Sequence, residues 1–459
     1  MMTDEADDRA WIAGLSGGRV ERFERTTAGR SRATWLVGVE CDDGKTLDLV
    51  LRRDTGDGPL SGTELDLARE AVIYRALAGS GVPVPDLIAV TPDGAALLVT
   101  RIDGTEDLTN LRGDGLAGVT DSFIDAVATL HNLDVGRLDL PGLALPTAPH
   151  DHTATDLALW RRILDTHATR PAPLVRFAFD WLAEHLPTEA QRTVLCHGDL
   201  GPGNFLHDGR AVTALLDWEF AHLGDPMDDL AWMTIRSAQV PLHDLDRALL
   251  RYSAATGIAV DPDRVAYFQL LVLARMAVAC IVALGKRGGR MDASTYLALL
   301  PLLERQIVRQ LARLADFDLA PTAVLAASEP SPRAEVLEML STDLGSVLMP
   351  ELQTPAARSR AIGMTLLLMH LQTADTLGST IDESDLDDLE VVLGGRPATP
   401  NEGLRVLDSR MSQGVAGTPA ALFDYFDRRS ARNVALWPIM AAMAERPLPT
   451  VLGSGGAPS

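Results

Sequence analysis

Cysteine is scarce, with three in 459 residues, at Cys41, Cys196 and Cys280, and no C-x-x-C spacing. That disfavours a disulfide framework and a zinc site alike, and the cytoplasm is the expected compartment. Positive charge is short too: 41 Lys and Arg against 63 Asp and Glu leave a net charge of −22. Nucleic acid and anionic membrane surfaces are therefore not expected partners. Long uninterrupted apolar runs are missing. The longest, residues 268–285, carries Arg275 within it and reads as a buried helix rather than a membrane span. The opening MMTDEADDRA lacks the basic start and apolar core of a secretory leader, so none is expected. What is present, 46% hydrophobic and 23% charged residues, is enough for two or three packed domains.

The chemistry concentrates in residues 195–226, LCHGDLGPGNFLHDGRAVTALLDWEFAHLGDP. Phosphoryl transfer from a nucleotide needs one carboxylate to orient the acceptor hydroxyl. It also needs an amide and a second carboxylate to hold Mg²⁺ on the phosphates. Asp199 and Asn204 stand five positions apart on one short loop and can point into one cleft. The run 211–216 reads as a buried strand that delivers Asp217 opposite that loop. H-x-D-x-x-x-x-N is the spacing of the kinase catalytic loop, and Asp217 falls where the metal-binding Asp of D-F-G falls. Gly, Pro, Asn and Asp also make ordinary turns; the conjunction of loop, strand, Asp217-Trp218-Glu219 and Gly224-Asp225-Pro226 favours a metal and phosphate site. Cys196, next to Leu195, reads as a buried thiol.

HGDLGPGN followed by LLDWEFAHLGDPMDDLAW resembles the aminoglycoside phosphotransferase and choline kinase superfamily. It is most similar to the branch that includes the kinase-like part of some acyl-CoA dehydrogenase fusions. The resemblance covers about residues 11–314. It implies an α+β, two-lobed protein-kinase-like fold, with a small antiparallel-sheet N-lobe and a mainly helical C-lobe. It also implies ATP, with GTP as the alternative, and Mg²⁺ as cofactors, and a small hydroxylated metabolite as the acceptor.

In chain order, a short helix over 6–15 precedes strands over 19–26, 33–41 and 46–53, with a hairpin at Asp42-Asp43-Gly44. By the resemblance, the turn 28–32 covers the nucleotide phosphates with Ser31 as its hydroxyl; an ordinary hairpin has the same look. The third strand lacks the usual phosphate-binding Lys. Arg52 is its positional match and Arg53 lies on the opposite face, a solvated arginine being the competing reading. Arginine binds phosphate bidentately, so it can serve. Helix 62–78 carries Glu70, expected to pair with Arg52 as a kinase Glu pairs with its Lys. Strands 86–90 and 95–101 follow, and Arg101, Ile102 and Asp103 form the expected hinge against the nucleotide base. Helices are expected at 121–133, 155–166, 173–186, 228–237, 242–256, 261–284 and 293–314. His131 and His197 read as structural, and Asp225 as a cap that also holds the catalytic loop. Asp156, Trp160 and Arg161 are candidates for the acceptor pocket, and Glu219 for either metal or packing.

The expected division is an N-terminal nucleotide-binding lobe at 1–103, a helical C-lobe at 104–316 and a linker at 317–332. A separate all-α domain at 333–446 and a disordered tail at 447–459 complete it. Within the all-α domain, helices are expected at 334–341, 356–374, 383–392, 401–412 and 419–443. Two functions remain open: a Mg²⁺-dependent small-molecule kinase with Asp199 catalytic and Asn204 and Asp217 on the metal, or a nucleotide-binding pseudokinase acting through its C-terminal helices. The three site residues favour the first; the missing Lys favours the second. Acceptor and oligomeric state are not legible.

Overall fold

The computed structural model describes residues 5–26, 32–56, 58–143, 151–187, 192–286, 293–321, 325–415 and 417–451. It forms two compact units: Met1–Asp156 with Leu186–Gln269 and Leu448–Ser459, and Leu157–His185 with Leu270–Pro447.

In the first unit, β1 (Gly18–Arg25), β2 (Ala33–Cys41), β3 (Thr46–Arg53), β4 (Leu87–Val90) and β5 (Ala96–Thr100) form an antiparallel sheet in the order β1-β2-β3-β5-β4. Side chains alternate across a strand, and β3 divides accordingly. Leu49 and Leu51 join Ile12 of helix α1 (Glu5–Ser16), Val37, Val39, Ala96 and Leu98 in a buried cluster. Val50 and Arg52 face the other way and line a cavity. Helix α2 (Leu67–Leu77) starts later than its sequence suggests, because Gly62 takes a positive φ of 78° and the Asp66 carboxylate caps the Arg69 amide at 2.8 Å.

Helix α3 (Gly113–His131) follows, and α4 (Asp151–His167) begins in this unit. The catalytic-loop region is framed by two short antiparallel pairs, β6 (Val194–Cys196) with β9 (His222–Gly224) and β7 (Phe205–His207) with β8 (Val212–Leu215). Helices α6 (Pro226–Ser237) and α7 (Leu245–Thr256) come after α5 (Pro173–Glu184), which belongs to the second unit. Helix α8 (Pro262–Gly285) is the one helix among the described residues long and apolar enough to cross a membrane, and 72% of its most apolar window is buried.

The second unit is helical. It groups α5 and α9 (Ala293–Ala315) with the helices beyond residue 333. Ion pairs tie it together: a buried one from Arg305 to Asp427 at 2.6 Å and a partly buried one from Arg176 to Asp408 at 2.9 Å. The helices expected at 356–374 and 383–392 are one helix, Pro355–Leu393. A central Gly378 costs about 1 kcal/mol, too little to break a helix of that length. The helix expected over 419–443 divides instead into Pro419–Ala435 and Pro438–Ala444, since Pro438 cannot continue a helix. The tail expected from 447 is ordered at its start. Gln269 donates to the Pro449 carbonyl at 3.0 Å and Val451 is buried; residues 452–459 lie outside the described residues.

Candidate active site

Strand alternation separates the two arginines of β3. Arg53 points toward α1 and pairs with Asp8. Arg52 donates through Nη1 to Glu70 of α2 and through Nη2 to Asp217 Oδ1 at 2.5 Å. One guanidinium therefore bridges sheet, helix α2 and the strand after the catalytic loop. All three groups are largely buried. Burial and the neighbouring Asp217 carboxylate raise the Glu70 carboxyl even against Arg52. For Asp217, burial is outweighed by Arg52, assisted by Arg236, and the carboxyl falls below its ordinary range.

The catalytic loop leaves β6 at Cys196. Gly198 has φ +80°, and a Cβ there would run into the Phe220 carbonyl, so only glycine fits. The His197 and Gly198 amides both donate to Asp229 of α6, at 2.7 and 2.8 Å. Asp229 also meets His131 Nε2 at 3.0 Å, and His131 Nδ1 meets the Tyr252 hydroxyl at 2.7 Å. His197 Nε2 donates to the Leu216 carbonyl at 2.8 Å, while its Nδ1 accepts from the Asp199 amide at 3.3 Å. These partners define a neutral tautomer, and burial lowers the imidazole pKa accordingly. His197 is thus a brace between loop and strand.

Asn204 donates from Nδ2 to the Asp199 carbonyl and to Asp199 Oδ2, both at 2.7 Å. Its backbone carbonyl accepts from Leu216 N at 2.9 Å, which ties Asn204 to the residue before Asp217. Asp217 itself sits at φ +68°, one of three non-glycine residues with positive φ among those described. A left-handed residue of this kind is held by its surroundings and is common at functional sites. Asp199 is gripped by Arg236 of α6, with Nε to Oδ1 at 2.7 Å and Nη2 to Oδ2. Burial raises the Asp199 carboxyl, and Arg236 offsets that only in part.

A cavity of about 450 Å³ opens between the sheet and the loop. Leu36, Val50, Val99, Leu206 and Leu216 give it an apolar slot, and Arg52, Asn204 and Asp217 stand on its wall. A pocket of that size with a few converging polar groups suits a nucleotide. Arg101 and Ile102 line it; Asp103 is not among its lining residues, and its carbonyl accepts from Thr213 Oγ1 at 2.9 Å. Ser31 lies outside the described residues. Among the described residues no cluster of three His, Cys, Asp or Glu is arranged for a metal ion. Asp217 and Asn204 are hard oxygen donors on one wall, which fits Mg²⁺ shared with phosphates.

Asp225 caps α6 through the Met227 amide at 2.9 Å and pairs with Arg264. Its expected grip on the catalytic loop belongs to Asp229 instead. Asp229 and Arg236 are the residues the sequence reading missed. Asp229 had a signal, since a cap and one first-turn acid explain only part of Asp225-Pro-Met-Asp-Asp. Arg236, 37 positions from Asp199, had none.

The pattern of the phosphotransferase enzyme family matches residues 22–268. Over 193 residues the chain is 32% identical to acyl-CoA dehydrogenase family member 10 of Mus musculus, covering 40% of this chain and 18% of that protein. Streptomycin 3″-kinase of Streptomyces griseus is 29% identical over 214 residues, 44% of this chain and 77% of the kinase. The chain thus spans under a third of the length of the acyl-CoA dehydrogenase relatives, from 18% to 29%. Among solved structures, macrolide 2′-phosphotransferase of Brachybacterium faecium is 22% identical, covering 63% of this chain and 97% of that one, with a TM-score of 0.44. A choline/ethanolamine kinase family protein of Mesorhizobium loti is 21% identical, covering 70% and 96%, with a TM-score of 0.44.

Proposed function

The chain belongs to the phosphotransferase enzyme family, and from that premise we propose that it transfers the γ-phosphate of ATP to a hydroxyl of a small metabolite. The observation that carries this reading is the convergence of Asn204, Asp217 and Arg52 on one cavity wall, with Asp199 hydrogen-bonded to Asn204. The base of the nucleotide lies in the apolar slot, its edge against the backbone at Arg101 and Ile102. Arg52 offers its positive charge and its remaining N–H donors to the phosphates in place of Lys, and Glu70 holds the guanidinium in position. Mg²⁺, held by Asp217 and Asn204, would neutralise charge building on the phosphates. Asp199 orients the acceptor hydroxyl and receives its proton late, because a loose transition state asks little base strength.

The streptomycin 3″-kinase among the relatives supports a small-molecule acceptor. Among the described residues none of the three cysteines is in a disulfide, which is in keeping with a cytoplasmic setting. The proposed lobes are 1–103 and 104–316, with 333–446 an accessory helical region. A regulatory nucleotide-binding role has one observation in its favour: Arg52 and Arg236 occupy both carboxylates. Calorimetric titration with Mg·ATP and Mg·GTP, then ADP production across a panel of hydroxylated compounds, tests the proposal. Transfer to at least one acceptor is expected. Nucleotide binding without transfer to any would favour the regulatory role.

A further inference from the structure

An ionised carboxylate offers about four lone-pair sites. Among the described residues three of these are taken in Asp199. Arg236 Nε donates to Oδ1 at 2.7 Å, Arg236 Nη2 donates to Oδ2, and Asn204 Nδ2 donates to Oδ2 at 2.7 Å. One site remains, on Oδ1. The guanidinium is itself held from three sides. Its Nη1 donates to the Pro202 carbonyl at 3.0 Å, its Cζ lies 6.0 Å from the Trp232 ring centre, and its stem runs against Gly201. A Cβ on Gly201 would stand 2.9 Å from Arg236 Cβ and Cδ, and Gly201 has φ +144°. The catalytic loop is bare at this position, and an arginine from α6 fills the space.

We propose that Arg236 is the positioning residue of the transfer step: it fixes the Asp199 carboxylate so that a single lone pair, on Oδ1, receives the acceptor hydroxyl. The inference rests on the kinase reading above. In the step, the acceptor oxygen bonds the γ-phosphorus as the bond from that phosphorus to its bridging oxygen breaks. ADP leaves with the electron pair, and the hydroxyl proton ends on Asp199 Oδ1. A carboxylate free to rotate presents several lone pairs, and most of its orientations are unproductive. Lysine, a point charge without a fork, cannot impose the same constraint.

The test uses the full chain with Mg·ATP, measuring ADP release with water alone and with glycerol, choline or streptomycin as acceptor. Arg236→Met and Arg236→Lys are each expected to keep the wild-type affinity for Mg·ATP while kcat falls about 10²-fold, the usual result of misplacing a reacting group. Millimolar guanidinium should restore part of the Arg236→Met rate, which a purely structural loss would not allow. An Arg236→Lys variant at the wild-type rate, or an Arg236→Met variant that loses rate only through folding and shows no rescue, overturns the inference. Asp199→Asn is the control: its transfer at the wild-type rate overturns the kinase reading instead. A wild-type chain that transfers to none of the four overturns both.

Discussion

Arg52 stands at the junction of every part of the cleft. Lysine occurs twice in this chain, at Lys45 and Lys286, and neither lies on β3. The Arg52 fork can meet Glu70 and Asp217 together, an arrangement a single ammonium serves less well. Removing it leaves two buried carboxylates uncompensated. Arg52→Met is expected to destabilise the chain by about 3–5 kcal/mol, the usual result of breaking a buried pair, and adding Glu70→Gln should recover part of that. Urea unfolding of the single and double variants checks both. His152 is a second sensitive residue: its Nε2 is buried without a partner among the described residues, and burial, with His222 nearby, brings its pKa down to about 4. An unfolded histidine titrates near about 6.5, so between those values the unfolded chain holds more protons and stability rises with pH. The thermal unfolding midpoint should therefore fall as pH falls from about 6.5 to about 4, and His152→Gln should flatten that dependence. The meeting of Arg52, Asn204 and Asp217 on one cavity wall and the pairing of Arg52 with Glu70 were legible because they follow from local spacing and strand alternation. Arg236 was not, because its partner is 37 residues away and only the folded chain joins them.

At the scale of elements, α6 organises the loop that carries the chemistry. Its Asp225 caps the helix, its Asp229 holds two loop amides, and its Arg236 grips Asp199. These three functions on one face are spaced about one and two turns apart. Asp229→Asn cannot accept both amides and the His131 imidazole as a charged group does. A hydrogen bond to a charged group is worth about 1.5–3 kcal/mol, and a destabilisation of that order is expected in chemical denaturation. Nucleotide affinity should hold while turnover falls, because Arg52 and the apolar slot are untouched. Strands β2 and β3 were legible to the residue, since alternation and a hairpin turn fix both ends. The helix Pro355–Leu393 was not. Its small and polar middle, 375–382, mimics a loop in composition.

For the whole molecule, the absences set the frame: scarce cysteine, a charge of −22 and, among the described residues, a single long apolar helix whose most apolar window is mostly buried. The kinase-like region follows from motif and strand pattern. The grouping of α5 and α9 with the helices beyond 333 had no sequence signal, because amphipathic helices do not state their partners. In the proposed transfer Asp199 acts on the acceptor and not on the nucleotide. The most direct test is to measure Mg·ATP affinity and phosphate transfer side by side in the wild-type chain and in Asp199→Asn. The expected result is unchanged affinity with transfer lowered about 10²–10⁴-fold. Full transfer by Asp199→Asn, or weakened Mg·ATP binding at a normal transfer rate, would contradict it.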